Sequence, residues 1–286
     1  MLTEQAHSFL LPMAIGLYFG TIVCYLRSFF TKGLKIDTLG NSLLILGILC
    51  HTLDLGLHLA ASDQYSLYNR LVMVSFMMIF VSVGYLLIQQ KFKLKHLGIF
   101  YVLPSFMLFV GAVTHQFSTG IHLKQLIVDG GNLGIGGNLG YLHWIRNVHS
   151  VLSVLAISFF NLSFVNSILY LMMESRLKKK MWDFWFERLP SINTLEEMGH
   201  QSTLLGFLCL TLSILSGAIY HHRMGQTFLN IGPREWMIFI AWFAYLIYFH
   251  IRFSFGALGK RLAYIAIACY LLQIFAIFSM IGIHRF

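Results

Sequence analysis

Long apolar runs separated by short polar segments recur along the whole chain. Each run has about 18 residues or more, which is long enough to cross the hydrocarbon core of a bilayer. Backbone polar groups in lipid must be satisfied within their own segment, so each run is predicted to form a transmembrane α-helix. The predicted spans are about 8–30, 39–60, 70–90, 96–114, 144–174, 202–222, 235–254 and 262–283. The pattern predicts an all-α, polytopic membrane helical bundle of about eight transmembrane helices.

Composition supports this membrane interpretation. Of the residues, 57% are hydrophobic and only 11% are charged. A soluble domain carries about 25% charged residues, because its surface must be hydrated. We therefore expect one integral membrane domain over residues 1–286.

The basic residues predict the orientation of the chain in the bilayer. The net charge is +9, and most of the 20 lysines and arginines fall in four connections, 27–35, 91–95, 176–188 and 252–261. Basic loops stay in the cytoplasm, so both termini are predicted to lie on the outer side. Because the positive charge follows the loops, it gives no indication of nucleic-acid binding. A bacterial inner (cytoplasmic) membrane is the expected location.

Two connections are longer than the others. The predicted outer loop 115–143 contains GGNLG twice and is expected to be flexible. The inner segment 175–201 is basic and then aromatic, so it is expected to lie along the cytoplasmic headgroups. Within it, Asn193 and Glu196 have the spacing of an N-cap, and Asn193 is predicted to start the sixth long helix.

The sequence contains none of the common catalytic motifs. It has no Walker loop, GxSxG or HExxH, which gives hydrolysis and nucleotide binding no support. Its four cysteines occur singly and form no CxxC pair, so a thiol relay or zinc site is not expected. We expect a protein that is not itself an enzyme, although a subunit role in an enzymatic system stays open.

The histidines carry the candidate chemistry. Ionisable groups inside a bilayer are costly, and among 13 histidines His51 and His250 lie well inside predicted spans. His149 and His284 lie at the predicted outer ends of spans, whereas His200 lies near a span end and receives no assignment. Neutral imidazoles from different helices are typical axial ligands of haem iron, which suggests haem sites at two depths. A hydrogen bond between helices is the alternative role for such a histidine.

Several segments resemble the cytochrome c assembly family, the group that contains the CcsA, CcmC and HemX proteins. The similarity covers most of the chain, although the first third is less specific. The segments are Gly47 with His51-Thr52, Val148-His149-Ser150, Leu189-Pro190-Ser191 with Leu195-Glu196-Glu197, Pro233-Arg234-Glu235 with Trp242 and Tyr248-Phe249-His250-Ile251-Arg252, and Gly282-Ile283-His284.

The resemblance implies a set of haem ligands. His51 and His250 would ligate iron inside the membrane, and His149 and His284 would ligate it at the outer face. The implied cofactor is haem b. The family segment around His250 also includes Trp242, which the resemblance makes a candidate haem contact.

The outer loop before the seventh span departs from the family pattern. CcsA and CcmC proteins have Trp-Gly-x-x-Trp-x-Trp-Asp-Pro-Lys-Glu there, which offers flat aromatic surface to a porphyrin. In this chain Met224 and Phe228 stand where tryptophans are expected, and Pro233-Arg234-Glu235 ends the loop. Met224 and Phe228 are still expected to pack on haem, and Arg234 to pair with its propionates.

Three functions are compatible with these features. The first is haem handling for cytochrome c biogenesis, in which haem moves from the intramembrane site to the outer site. Its expected partners are haem, an apocytochrome c, a membrane protein of the assembly system and the lipid bilayer. The second is a HemX-type regulator of tetrapyrrole synthesis, which the altered outer loop favours. The third is a cofactor-free transporter of small solutes, although no inverted repeat is evident.

Overall fold

The computed structural model is helical throughout the residues that it describes, 2–31, 34–61, 70–92, 97–118, 139–224, 233–256 and 259–282, apart from short turns. In chain order the helices are α1 (Leu2–Thr31), α2 (Leu34–Ala61), α3 (Arg70–Phe92), α4 (Gly98–Ser118), α5 (Leu139–Lys178), α6 (Phe184–Arg188), α7 (Ile192–Arg223), α8 (Pro233–Phe255) and α9 (Lys260–Gly282). All are long except α6, and each of the eight predicted spans overlaps one long helix. The predicted all-α, polytopic architecture is confirmed.

The helices have the length and surface of membrane spans. Within the described ranges, six of them are long and apolar enough to cross a bilayer, and Gly98–Thr114 forms a shorter apolar helix. Large apolar side chains such as Phe9 (76% exposed) and Phe253 (71% exposed) point outward. Such a surface suits lipid rather than water. The chain is a multi-pass membrane protein.

The chain divides into two compact units, Met1–Val154 and Leu155–Phe286. In the first unit, α1 packs against α2 and α4, and α3 packs against the same two helices. Its centre contains the fully buried side chains of Tyr18, Leu44, Met78 and Tyr101. Aromatic and aliphatic groups thus fill the space between four helices.

The second unit contains the later part of α5 together with α7, α8 and α9. Phe160 of α5 stacks on Tyr245 of α8, with ring centroids 3.8 Å apart. The side-chain amide of Asn161 donates a hydrogen bond of 2.8 Å to Tyr270 Oη of α9. These contacts connect α5 to α8 and α9, and the second gives the buried amide of Asn161 a hydrogen-bond partner.

The connection between α5 and α7 contains the short helix α6. Asp183 caps it, since its Oδ1 accepts a hydrogen bond of 3.2 Å from the Phe186 amide. Arg176 forms an ion pair with Asp183, and its guanidinium lies 5.5 Å from the centre of the Trp185 ring. The segment is therefore ordered by its own side chains. Its placement along the headgroups stays a prediction.

The start of α7 differs from the prediction. Its N-cap is Ser191, whose Oγ accepts a hydrogen bond of 3.2 Å from the Thr194 amide. The prediction that Asn193 caps this helix is wrong, because Asn193 already lies in the first turn. Pro190 keeps the preceding residue out of the helical conformation. Ser191 is then the first residue whose side chain can cap the helix.

The predicted Gly-rich loop 115–143 is helical at both ends, because α4 continues to Ser118 and α5 begins at Leu139. Its remaining residues, 119–138, lie outside the described residues.

Candidate functional site

His51 of α2 is enclosed by the helices of the first unit. Its side chain is only 1% exposed. The imidazole lies between Tyr18 of α1, at 5.8 Å between ring centroids, and Phe109 of α4, at 4.6 Å. Three helices therefore fix the position of this ring.

The two ring nitrogens of His51 have different surroundings. Nδ1 lies 3.4 Å from Tyr18 Oη, whereas Nε2 is buried and, in the described part of the chain, has no hydrogen-bond partner. If Nδ1 carries the proton, it donates to Tyr18 Oη and leaves the lone pair of Nε2 available. This tautomer is the one that metal-ligating histidines adopt when a second side chain orients them.

An unpaired buried nitrogen is energetically unfavourable. Leaving such a group without a hydrogen bond costs about 1–3 kcal/mol. Coordination of an iron ion by Nε2 would remove this cost, so the residues around His51 fit an axial ligand. Because the ring is enclosed by Tyr18 and Phe109, a porphyrin reaches Nε2 only after one of these neighbours moves.

His250 of α8 has the opposite exposure and points away from the second unit. Its Nδ1 lies 3.2 Å from Ser254 Oγ, one turn later in the same helix. Large apolar side chains exposed on the same face, at spacings of three and four residues, are Trp236, Ile240, Phe243 and Ile247. This face is an exposed apolar strip that includes the His250 imidazole.

His51 and His250 belong to different compact units. Their predicted approach as a pair of axial ligands stays a prediction.

The residues predicted at the outer site are described only in part. His149 is half-buried on α5, and its carbonyl oxygen accepts a hydrogen bond of 2.8 Å from Ser153 Oγ. Met224 ends α7, with its amide donating to the Tyr220 carbonyl oxygen at 3.1 Å. Arg234 lies in the first turn of α8. The Arg234 side chain, Phe228 and His284 lie outside the described residues.

Trp242 connects two helices of the second unit. Its Nε1 donates a hydrogen bond of 3.0 Å to Thr211 Oγ1 of α7, and its ring stacks on Phe207 at 5.7 Å between centroids. Trp242 thus has packing partners of its own. Its predicted contact with haem stays a prediction.

Sequence reasoning missed the residues around His51 and a polar cluster in the second unit. Nothing local marks Tyr18 or Phe109, because each is one aromatic residue among many in an apolar span. The polar cluster consists of Glu196, His200 and Arg252, and part of it could have been recognised from residue spacing in the sequence. Glu196 and His200 are four residues apart, which places both on one face of a helix.

Comparisons with known proteins agree with the resemblance in the sequence. The family described as Cytochrome C assembly protein matches residues 7–284. Protein HemX of Bacillus subtilis (strain 168) is 28% identical over 139 residues, which is 49% of this chain and 50% of HemX. The cytochrome c biogenesis protein CcsA of Prochlorococcus marinus (strain MIT 9303) is 36% identical over 86 residues, 28% of this chain and 27% of that protein. CcsA of Manihot esculenta is 32% identical over 105 residues, 35% of this chain and 33% of that protein.

The matched segments thus span half or less of these curated relatives. No solved structure matches the chain significantly.

Proposed function

The chain belongs to the cytochrome c assembly protein family, and from this premise we propose that it binds haem within the membrane and presents it for cytochrome c biogenesis. Haem is the cargo in this proposal, and the chain supplies ligands and an oriented surface. The chemistry of attachment to an apocytochrome c is left to a partner protein of the assembly system. The proposed location is a bacterial inner membrane, with both termini on the outer side.

The observation that carries the proposal is the state of His51. It is a buried imidazole inside a membrane span, with Nδ1 facing a tyrosine hydroxyl and Nε2 without a partner among the described residues. The contact with Tyr18 joins two helices, so a helix-bridging role accounts for Nδ1 but leaves Nε2 unexplained. Metal coordination by Nε2 would account for both nitrogens.

His250 is proposed as the second intramembrane ligand. It lies on an exposed apolar strip of α8, and a porphyrin is a flat apolar ring with an iron at its centre. The apolar side chains of the strip could therefore pack against the porphyrin, and the imidazole could coordinate the iron. Trp242, on the same helix, stays a proposed haem contact through its family segment.

His149 and His284 are proposed as ligands at the outer face. Met224 and Phe228 would pack on the porphyrin there, and Arg234 would pair with the propionates. A guanidinium is suited to this task because it offers several N–H donors to a carboxylate in a planar arrangement. Haem b would pass from the inner pair to this outer site.

The experiment is a visible absorption spectrum of the detergent-purified protein, oxidised and then reduced with dithionite, together with a pyridine haemochrome assay. We expect a Soret band with sharp reduced α and β bands. The double substitution His51→Ala and His250→Ala is expected to remove the haem that co-purifies with the chain. The matched control is the double substitution His221→Ala and His222→Ala, which also removes two histidines but at exposed positions at the end of α7. Equal haem content in both variants would refute the intramembrane site.

A second candidate function is regulation of tetrapyrrole synthesis in the manner suggested by the resemblance to HemX. The match to HemX covers more of this chain than the matches to the CcsA proteins do. The presence of Met224 and Phe228 where the family pattern has tryptophans supports the same function. Deletion of the gene distinguishes the two functions. If the chain presents haem, the deletion strain should lack c-type cytochromes. If it regulates, the strain should have altered levels of tetrapyrrole precursors and intact c-type cytochromes.

A further inference from the structure

A small cavity lies in the second unit, lined by the start of α7, the end of α8 and the start of α9. Its volume is about 20 Å³. Residues from four helices and the turn before α9 line it, including Tyr170, Glu196, His200, Tyr248, Arg252 and Gly259. None of the residues of the strip that carries His250 lines this cavity.

Three polar atoms at this cavity lack hydrogen bonds. Across the described ranges, Glu196 Oε1, His200 Nδ1 and Arg252 Nη1 are buried and have no hydrogen-bond partner. Glu196 Oε1 and Arg252 Nη1 are 3.5 Å apart, which is an ion-pair distance but longer than an ordinary N–H···O bond of about 2.7–3.2 Å. The two charged groups therefore attract each other, but these two atoms do not form a hydrogen bond with each other.

The volume of the cavity indicates the size of the ligand. A cavity needs about 10–15 Å³ to accept a water molecule, and a buried water typically makes two to four hydrogen bonds. A space of about 20 Å³ is enough for one water molecule. We propose that the site formed by Glu196, His200 and Arg252 binds a single ordered water molecule.

The donors and acceptors at the site match one water. Arg252 Nη1 donates to the water oxygen. The two water hydrogens are then donated to Glu196 Oε1 and to His200 Nδ1, with the imidazole in the tautomer protonated at Nε2. Every one of the three unused atoms gains a partner in this arrangement. The water joins α7, which carries two of the atoms, to α8, which carries the third.

A glycine allows the wall of the site to close. Gly259 has a φ of +72°, a left-handed conformation that favours glycine, and a Cβ at this position would lie 2.4 Å from Tyr170 Oη. Any side chain at 259 would therefore push the tyrosine hydroxyl away. The site depends on this close approach for its separation from the surroundings.

Radiolytic hydroxyl-radical labelling tests the proposal, because it marks side chains beside bound water even when they are buried. The full chain is irradiated in lipid nanodiscs and the labelled residues are read by mass spectrometry. Tyr248 lines the cavity and is 3% exposed, whereas Tyr245, one turn earlier in α8, is 1% exposed and stacks on Phe160 in an apolar cluster. We expect Tyr248 to be labelled several-fold faster than Tyr245. Equal rates at the two tyrosines would overturn the proposal.

A substitution at His200 tests whether the polar atoms of the site hold the water. His200→Phe keeps a ring of similar size but removes Nδ1, and it is expected to reduce the labelling of Tyr248 to the rate of Tyr245. The control is His221→Phe, at an exposed position near the other end of α7, which is expected to leave the labelling of Tyr248 unchanged. Unreduced labelling in His200→Phe would overturn the assignment. If this variant does not fold, the comparison of the two tyrosines in the unaltered chain decides the question.

Discussion

Tyr18 Oη and His51 Nδ1 lie 3.4 Å apart, although the two residues are separated by 33 positions in the chain. The contact joins α1 to α2, and within the described part of the chain Nε2 has no hydrogen-bond partner. If the tyrosine hydroxyl accepts from Nδ1, the contact fixes both the tautomer and the orientation of the ring. Tyr18 would therefore act on the haem proposed above through His51, as a positioning residue.

Replacement of Tyr18 by phenylalanine tests this role. Tyr18→Phe keeps the ring that packs on His51 but removes the hydroxyl that orients it. We expect haem affinity to fall by about 10–100-fold, the range for loss of a group that supports a metal ligand. Titration of the apoprotein with haem, followed at the Soret band, measures the change. Tyr101→Phe is the control, because Tyr101 is equally buried in this unit but stacks on Tyr85; an identical fall in that variant would contradict a specific role of Tyr18.

Phe109 is expected to limit access to His51. Its ring lies 4.6 Å from the imidazole and is one of the two neighbours that enclose it. Phe109→Leu reduces the bulk at this position, so haem should bind faster in stopped-flow absorption measurements. Phe106→Leu shortens a neighbouring side chain that contacts Tyr18 instead. Slower binding in Phe109→Leu than in the unaltered chain would show that the phenylalanine assists entry rather than restricting it.

The ion pair between Glu196 and Arg252 is expected to contribute to stability. The two side chains are 22% and 19% exposed, so each is partly removed from solvent. Arg252→Met leaves Glu196 without its counter-charge, and we expect a loss of about 2–4 kcal/mol in the free energy of unfolding, reduced from the value for a fully buried pair by the remaining exposure. Unfolding by denaturant in mixed micelles measures it.

A double substitution separates the pair from its individual charges. Glu196→Gln combined with Arg252→Met removes both charges and should be less destabilising than Arg252→Met alone. Arg261→Met is the control at an exposed position in the first turn of α9. Additive effects of the two single substitutions would indicate that the pair contributes nothing.

The start of α7 offers a test between two neighbouring polar residues. Ser191→Ala removes the hydroxyl that accepts from the Thr194 amide and should cost about 1 kcal/mol. Asn193→Ala, two residues later in an exposed first-turn position, should be close to neutral. The two variants differ only in which side chain caps the helix, so thermal unfolding of both decides the assignment. The reverse order of stabilities would restore Asn193 as the cap.

The sequence predicted the helices well because their signal is local. A long apolar run must satisfy its backbone polar groups internally, so length and hydropathy alone indicate a helix. The same count predicts that His51 lies near the middle of its span. The sequence did not identify the N-cap of α7, because serine and asparagine are both good N-cap residues. The feature that favours Ser191 is Pro190, which keeps the residue before it out of the helical conformation.

The surroundings of the candidate ligands could not be predicted for a different reason. A helix that is apolar on all sides carries little information about which face meets another helix and which meets lipid. The sequence therefore did not indicate that His51 faces Tyr18 and Phe109 whereas His250 points outward. The partners of His51 come from α1 and α4, and no periodicity in α2 identifies them.

The length of α5 sets the accessibility of the proposed outer ligand. The helix has 40 residues and, at about 1.5 Å per residue, measures roughly 60 Å, which is twice the thickness of the hydrocarbon core of about 30 Å. Measured back from Lys178 at the basic end, His149 lies roughly 44 Å along the helix axis. If Lys178 lies at the inner edge of the hydrocarbon, this distance reaches the outer headgroups even with a tilt of about 20°, and we expect His149 to lie there. An apocytochrome in the aqueous phase would then meet haem at this histidine without any part of its chain entering the lipid.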